Sequence, residues 1–191
     1  MSLFHKVVFV GDSGAGKTSI INKFTQISGT PVPTITATSV QCIVHLPEQD
    51  VTLNVWDTAG QDDYKCLIPI YAKGAMVAVI VFDKTSEESF NSLRNWVNFI
   101  RESVGQLGII VVGNKEDLPA VISFNQGIGF ADQNDAQFIE TSAETGTNVD
   151  LLFSTIANLV LEQEKLSDKK EDNGVDLKAP QNEDKKKGCC K

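Results

Sequence analysis

Apolar positions in this chain fall into short runs separated by amphipathic stretches. Runs near residues 4 to 10, 39 to 46, 51 to 56, 76 to 82, 108 to 113 and 137 to 141 have the length and flanking turns of strands. Several are apolar throughout, as expected of strands covered on both faces, whereas Val51-Thr52-Leu53-Asn54-Val55 alternates. The intervening stretches read as helices, and the alternation predicts an α/β fold. Phe90, Leu93, Val97 and Ile100 share one helical face behind a capping box at Thr85-x-x-Glu88. Val149, Leu152, Phe153, Ile156 and Val160 do the same behind Thr147-x-x-Asp150 and read as core. No internal repeat interrupts this single-domain pattern.

Chemistry enters where the apolar runs end. Lys6 to Val10 empties into Gly11-Asp12-Ser13-Gly14-Ala15-Gly16-Lys17-Thr18, which meets every position of G-x-x-x-x-G-K-[ST]. Between a strand and a helix, glycines let backbone N–H groups converge on phosphate oxygens, and the helix N-terminus adds partial positive charge. Lys17 reaches the terminal phosphates in this reading, and Thr18 ligates Mg²⁺. The run 108–113 empties into Asn114-Lys115-Glu116-Asp117. A carboxylate at Asp117 suits guanine, whose ring N–H and exocyclic amino group both donate; adenine has neither donor on that edge. Asn114 would tie this loop to the phosphate loop. Glu140-Thr141-Ser142-Ala143 follows another apolar stretch and places the Ala143 N–H toward the guanine carbonyl. An ATP-using enzyme shares the phosphate loop but does not account for N-K-x-D.

A fourth motif, Trp56-Asp57-Thr58-Ala59-Gly60-Gln61, ends the alternating strand. P-loop, D-T-A-G-Q, N-K-x-D and T-S-A, in this order and at these intervals, resemble the Ras-like small GTPases over roughly residues 4 to 165. Trp56, the segment 69–75, Glu87-Glu88-Ser89-Phe90 and the terminal Cys189-Cys190 resemble the Rab branch, and Gly174-Val175-Asp176-Leu177 with Ala37 bears a fainter likeness to its endocytic members. The resemblance implies a P-loop NTPase fold, a six-stranded and mostly parallel sheet with helices on both faces and the second strand antiparallel. It places GTP or GDP against Ser13, Gly14, Ala15, Gly16, Lys17, Thr18, Ser19, Thr34, Gly60, Asn114, Lys115, Asp117, Ser142, Ala143 and Glu144. Mg²⁺ is implied at Thr18 and Thr34, with Asp57 supporting it through water. Gln61 is implied as the catalytic residue that orients the attacking water, and residues 28 to 40 and 57 to 73 as the segments that respond to the γ-phosphate.

The same resemblance implies a monomeric switch in vesicle traffic that hydrolyses GTP and recruits effectors through Ile35, Trp56 and Tyr71. An exchange factor, a GTPase-activating protein and prenyl-carrier or escort proteins are the implied partners. Arg94 and Arg101 are the chain's only arginines, and both precede the N-K-x-D motif on one helix. No switch segment carries one, so the transition-state cation is expected from the activating protein. The alternative is a GTP-bound membrane scaffold that scarcely hydrolyses; the intact Gln61, Gly60 and Thr34 favour the enzyme.

Five departures from the family pattern stand out. Lys17 to Thr34 is about two residues short. No aromatic occurs between Phe24 and Trp56, leaving Ile27 as the nearest substitute for the residue that packs across the base. Glu144 stands where a lysine is common. Ser39 occupies the third place of the Rab aromatic triad and Thr36 replaces a glycine, which together predict a divergent effector set.

The formal charge of -8 argues against nonspecific nucleic-acid binding. The longest apolar stretch, Ala75 to Phe82, is too short to span a bilayer, and the N-terminus lacks signal-peptide features, so a cytosolic chain is expected. Cys42 and Cys66 are isolated and read as reduced and structural. Residues 1–165 read as the GTPase domain and 166–191 as a flexible tether, thirteen of whose twenty-six residues are charged. Its end joins Lys185-Lys186-Lys187 to Cys189 and Cys190, and Gly188 excludes a C-a-a-X box. Two prenyl chains on the cysteines, with the lysines facing anionic lipid, would hold the chain on the cytosolic face of an intracellular membrane.

Overall fold

A computed structural model of the chain describes residues 4–27, 34 and 37–172, with backbone alone at 62–64 and 167–172. Strands β1 (His5–Val10), β2 (Ala37–His45), β3 (Asp50–Thr58), β4 (Val77–Asp83), β5 (Gly108–Asn114) and β6 (Gln137–Glu140) form one sheet in the order β2-β3-β1-β4-β5-β6. Every neighbouring pair is parallel except β2 and β3. Because β1 has β3 on one side and β4 on the other, the chain reverses its direction of winding there. A crevice therefore opens beyond the carboxyl end of β1.

Strand periodicity sorts the core into two layers. Val77, Val79 and Val81 of β4 point to the face covered by α1 (Lys17–Thr25) and α5 (Val149–Asp172), where they meet Ile20, Phe153 and Ile156. Ala78, Ile80 and Phe82 point to the opposite face, against Leu93, Trp96, Val97 and Ile100 of α3 (Glu87–Val104). Burial on both faces is why β4 is apolar at every position through Phe82. A 3₁₀ turn (Asp62–Leu67) leading into α2 (Ile68–Ala72), together with α4 (Phe124–Asp132), completes the second layer. Phe24 of α1 stacks on Phe153 of α5 with ring centroids 3.7 Å apart and planes 4° apart, fixing the far end of the helix that begins at the phosphate loop.

The helix starts differ from the sequence reading in instructive ways. Ser86, not Thr85, caps α3: its hydroxyl accepts from the Ser89 N–H at 3.2 Å, while Thr85 is turned back onto Asp83. Thr147 does not cap α5 either, because its hydroxyl pairs with that of Thr145 and the helix begins at Val149 behind Asn148. The reciprocal cap is at α4, where the Ser123 side chain faces the Gln126 backbone N–H and Gln126 Oε1 accepts from the Ser123 N–H. At its other end α5 continues through the charged residues after Lys165 to Asp172, into the segment read as tether. Lysine and glutamate are good helix formers, and a helix already nucleated on the core propagates without further apolar contacts. Of the two cysteines read as structural, Cys42 is half-buried, with its thiol pushed up to about 11 by burial, but Cys66 is exposed.

Candidate nucleotide site

The phosphate loop turns out of β1 and enters α1 through Gly16, whose backbone is left-handed at φ +95. A Cβ on Gly16 would lie 2.1 Å from Asn114 Nδ2, so both the conformation and the space require glycine. Lys17 is buried, and its Nζ donates to the carbonyls of Gly11 at 2.7 Å and Asp12 at 2.8 Å. Burial lowers its pKa to about 8, against the opposing pull of Asp57 and Asp12. The ammonium therefore lies folded over the loop that is expected to hold phosphate.

On the other side of the loop three oxygen-bearing side chains converge. Thr18 Oγ1 donates to Asp57 Oδ2 at 2.5 Å, Thr34 Oγ1 donates to the same oxygen at 3.1 Å, and the two hydroxyls lie 3.0 Å apart. Burial raises the Asp57 pKa, and the hydrogen bonds from Thr18 and Thr34 and the Lys17 charge oppose that rise. Asp57 Oδ1 is buried with no hydrogen-bond partner among the described residues. An all-oxygen group with one orphaned carboxylate oxygen suits a hard divalent cation such as Mg²⁺. Gly60 follows immediately and is pressed onto the loop: a Cβ there would lie 2.5 Å from Gly11 O and from Ser13 N. Gln61 is exposed and lines a cleft of about 990 Å³ with Ser13, Gly14, Ala15 and Gly60.

The base half of the site is assembled around Asn114, which is buried at the end of β5. Its Nδ2 donates to the Ala15 carbonyl at 2.9 Å, and its Oδ1 accepts from Thr141 Oγ1 and from the Ala143 N–H, both at 3.2 Å. One side chain thus ties the phosphate loop, N-K-x-D and T-S-A together. Ser142 Oγ donates to Asp117 Oδ1 at 2.5 Å. Lys115 Nζ donates to Asp83 Oδ2 at 2.5 Å; burial pushes the Asp83 carboxyl up, but hydrogen bonds from Lys115 and Thr85 outweigh it and hold it below its usual range. Asn114, Lys115, Asp117, Ala143 and Glu144 line a cleft of about 780 Å³ that runs to Gly14, Gly16 and Ser19.

Several departures have a visible setting. Ile27 is half exposed on the rim of this cleft, whereas Phe24 is committed to Phe153 and does not line it. Glu144 is exposed, and its carbonyl accepts from Lys23 Nζ at 2.7 Å. Ser39 lies opposite Trp56 in the β2–β3 register, and Trp56 stacks on Tyr71 at 5.7 Å with Lys6 Nζ 4.5 Å above the Trp56 ring. Ile35, Thr36, Cys189 and Cys190 lie outside the described residues. Sequence reasoning missed Asp12, Asp83 and Lys84, three charged residues that organise the site from behind. Lys84, a lysine directly after an apolar strand, is the one signal that pattern reading had available.

An α/β sheet carrying a phosphate loop at its switch point, an oxygen-rich cation group beside it and a carboxylate-bearing base pocket define a P-loop NTPase of Ras-like fold. The model of the Ras family matches residues 6–162, and the chain belongs to that family. It is a small GTP-binding switch.

Proposed function

We propose that this chain is a Rab-like GTPase that hydrolyses GTP slowly on its own and acts in vesicle traffic. The observation that carries the hydrolytic part is the convergence of Thr18 and Thr34 on Asp57, with Asp57 Oδ1 left unpartnered. These residues would hold Mg²⁺. Bound there, the ion would supply positive charge to stabilise the negative charge of the reacting phosphates. The chain's own residues do the rest. Lys17 exchanges its two carbonyl partners for phosphate oxygens, the Gly60 N–H faces the γ-phosphate, and Gln61 orients the water that attacks the γ-phosphorus as its bond to the β–γ bridging oxygen breaks, giving GDP and phosphate. Release of phosphate frees Thr34 and Gly60 from the γ-position, which is the basis of a two-state switch.

No arginine approaches the cleft to assist. Arg94 is exposed on α3, and Arg101 Nη2 donates to the Asn134 carbonyl at 2.6 Å. An activating protein is therefore the proposed source of the cation, with an exchange factor to reload the site. The stacked Trp56 and Tyr71, beside the exposed Ile70, form the proposed effector face. Prenylation at Cys189 and Cys190 would return the chain to a membrane's cytosolic face. Single-turnover hydrolysis of preloaded GTP tests the reading. Slow turnover that Gln61→Leu abolishes supports it, while stable loading with no hydrolysis in either protein favours the scaffold.

A further inference from the structure

Lys84 follows β4 at the back of the base pocket, with only 5% of its side chain exposed. Its ammonium pairs with two carboxylates at once, Glu116 and Glu140, the latter at 2.7 Å. Glu116 belongs to the loop that carries Asp117, and Glu140 ends β6 just before the loop that carries Ser142. Glu140 is itself mostly buried, 15% exposed, and its Oε1, which has no hydrogen-bond partner among the described residues, faces the Lys84 ammonium as an ion pair. The lysine stem passes over Gly113, where a Cβ would lie 3.0 Å from Lys84 Cγ, so the strand has made room for it. The backbone adds to the join: Lys84 N–H donates to the Asn114 carbonyl, and its own carbonyl accepts from Val121 and Ile122.

We propose that Lys84 is a positioning residue for guanine specificity: by pairing with Glu116 and Glu140 together it locks the two base-reading loops in register, so that Asp117 meets both guanine donors. The proposal deepens the guanine reading of the cleft and rests on it. Without the lysine, two carboxylates would face each other close behind Asp117, and mutual repulsion would part the loops. Among the described residues this rim is bordered by Ile27 rather than by an aromatic, which makes the register of the two loops more consequential.

The test is the rate of release of fluorescently labelled GDP and IDP, the latter lacking the exocyclic amino group, from the intact protein and from Lys84→Met, Lys84→Arg and Glu116→Gln. The expected result is GDP release about tenfold faster in Lys84→Met and several-fold faster in Glu116→Gln, with the GDP-over-IDP preference shrinking in both. Recovery of the preference in Lys84→Arg supports a role for the charge. Should Lys84→Met fail to fold, Glu116→Gln decides, since Glu116 is 39% exposed and its replacement leaves the Lys84–Glu140 pair in place. Lower thermal stability with an unchanged GDP-over-IDP preference would reduce Lys84 to a packing residue and overturn the proposal. An unmodified protein that prefers neither nucleotide would instead overturn the guanine reading itself, and the proposal with it.

Discussion

Trp96 Nε1 donates to Asp12 Oδ1 at 2.8 Å, joining α3 to the phosphate loop. Ser92 Oγ takes the other carboxylate oxygen at 2.5 Å, and Lys65 Nζ lies 4.6 Å above the indole ring. An acidic residue in a polyphosphate cradle is a liability unless its charge is held away from the ligand. Here two donors on α3 hold it, and the same indole touches the 3₁₀ turn that follows Gln61.

Replacing Trp96 with Phe keeps the ring and removes the donor. A hydrogen bond to a charged group is worth about 1.5–3 kcal/mol, so GDP affinity should fall about tenfold or more, as read by equilibrium titration. Adding Asp12→Asn should return most of the loss, because the amide carries no charge to repel phosphate. No recovery in the double variant would show that the indole acts by packing alone.

Asn114→Ala removes the single side chain shared by three loops and leaves the Ala15 carbonyl and the Ala143 N–H without their partner. The expected cost is about 2–4 kcal/mol, visible as a fall of several degrees in the thermal midpoint and as faster GDP release. Release that accelerates with no change in midpoint would confine the role of Asn114 to the ligand.

Lys17 sets a pH dependence whose sign is fixed by its lowered pKa of about 8. Phosphate favours the ammonium, so the bound form holds its proton to higher pH than the free form. GDP affinity should be flat below pH 8 and weaken above it, approaching tenfold per unit, in titrations from pH 7 to 9. For folding, a lowered lysine pKa means that the unfolded chain binds more protons between about 8 and 10.5. The penalty for burying the ammonium is thus full below pH 8 and is relieved as the pH rises through that window.

Gly60→Ala inserts a methyl group 2.5 Å from the backbone of Gly11 and Ser13, which must then move. Nucleotide should still load, but hydrolysis should slow by about tenfold or more, because the segment that presents Gln61 can no longer seat on the loop. Single-turnover rates measured beside GDP affinity separate these effects.

The strands and all four motifs were legible because their signals are local: a two-residue period, a run length, a fixed spacing. What escaped was either ambiguous within a turn or brought together from far apart. Thr85 and Ser86 are both good caps, and only Thr85's own bond to Asp83 decides between them. Asp12 and Trp96 are separated by three of the six strands in sequence, and nothing in either neighbourhood announces the other. Lys84 looked like the first residue after a strand, because a pattern of hydrophobicity cannot say that a carboxylate from a loop and another from the end of β6 will close over it. The charged end of α5 failed as a pattern for the opposite reason, since residues of good helix propensity can continue a helix without an apolar stripe.

That extension of α5 alters the mechanics of any attachment made beyond it. A helix of 24 residues is about 36 Å long, and its first turns are clamped in the core by Leu152, Phe153 and Ile156. A group carried after Asp172 therefore pulls on the tip of a stiff rod rather than on a slack cord rooted at the domain surface. Such a rod would transmit orientation as well as position, so were the chain held to a surface beyond Asp172, the choice of which face of the domain looks outward would begin in residues that carry no chemistry of their own.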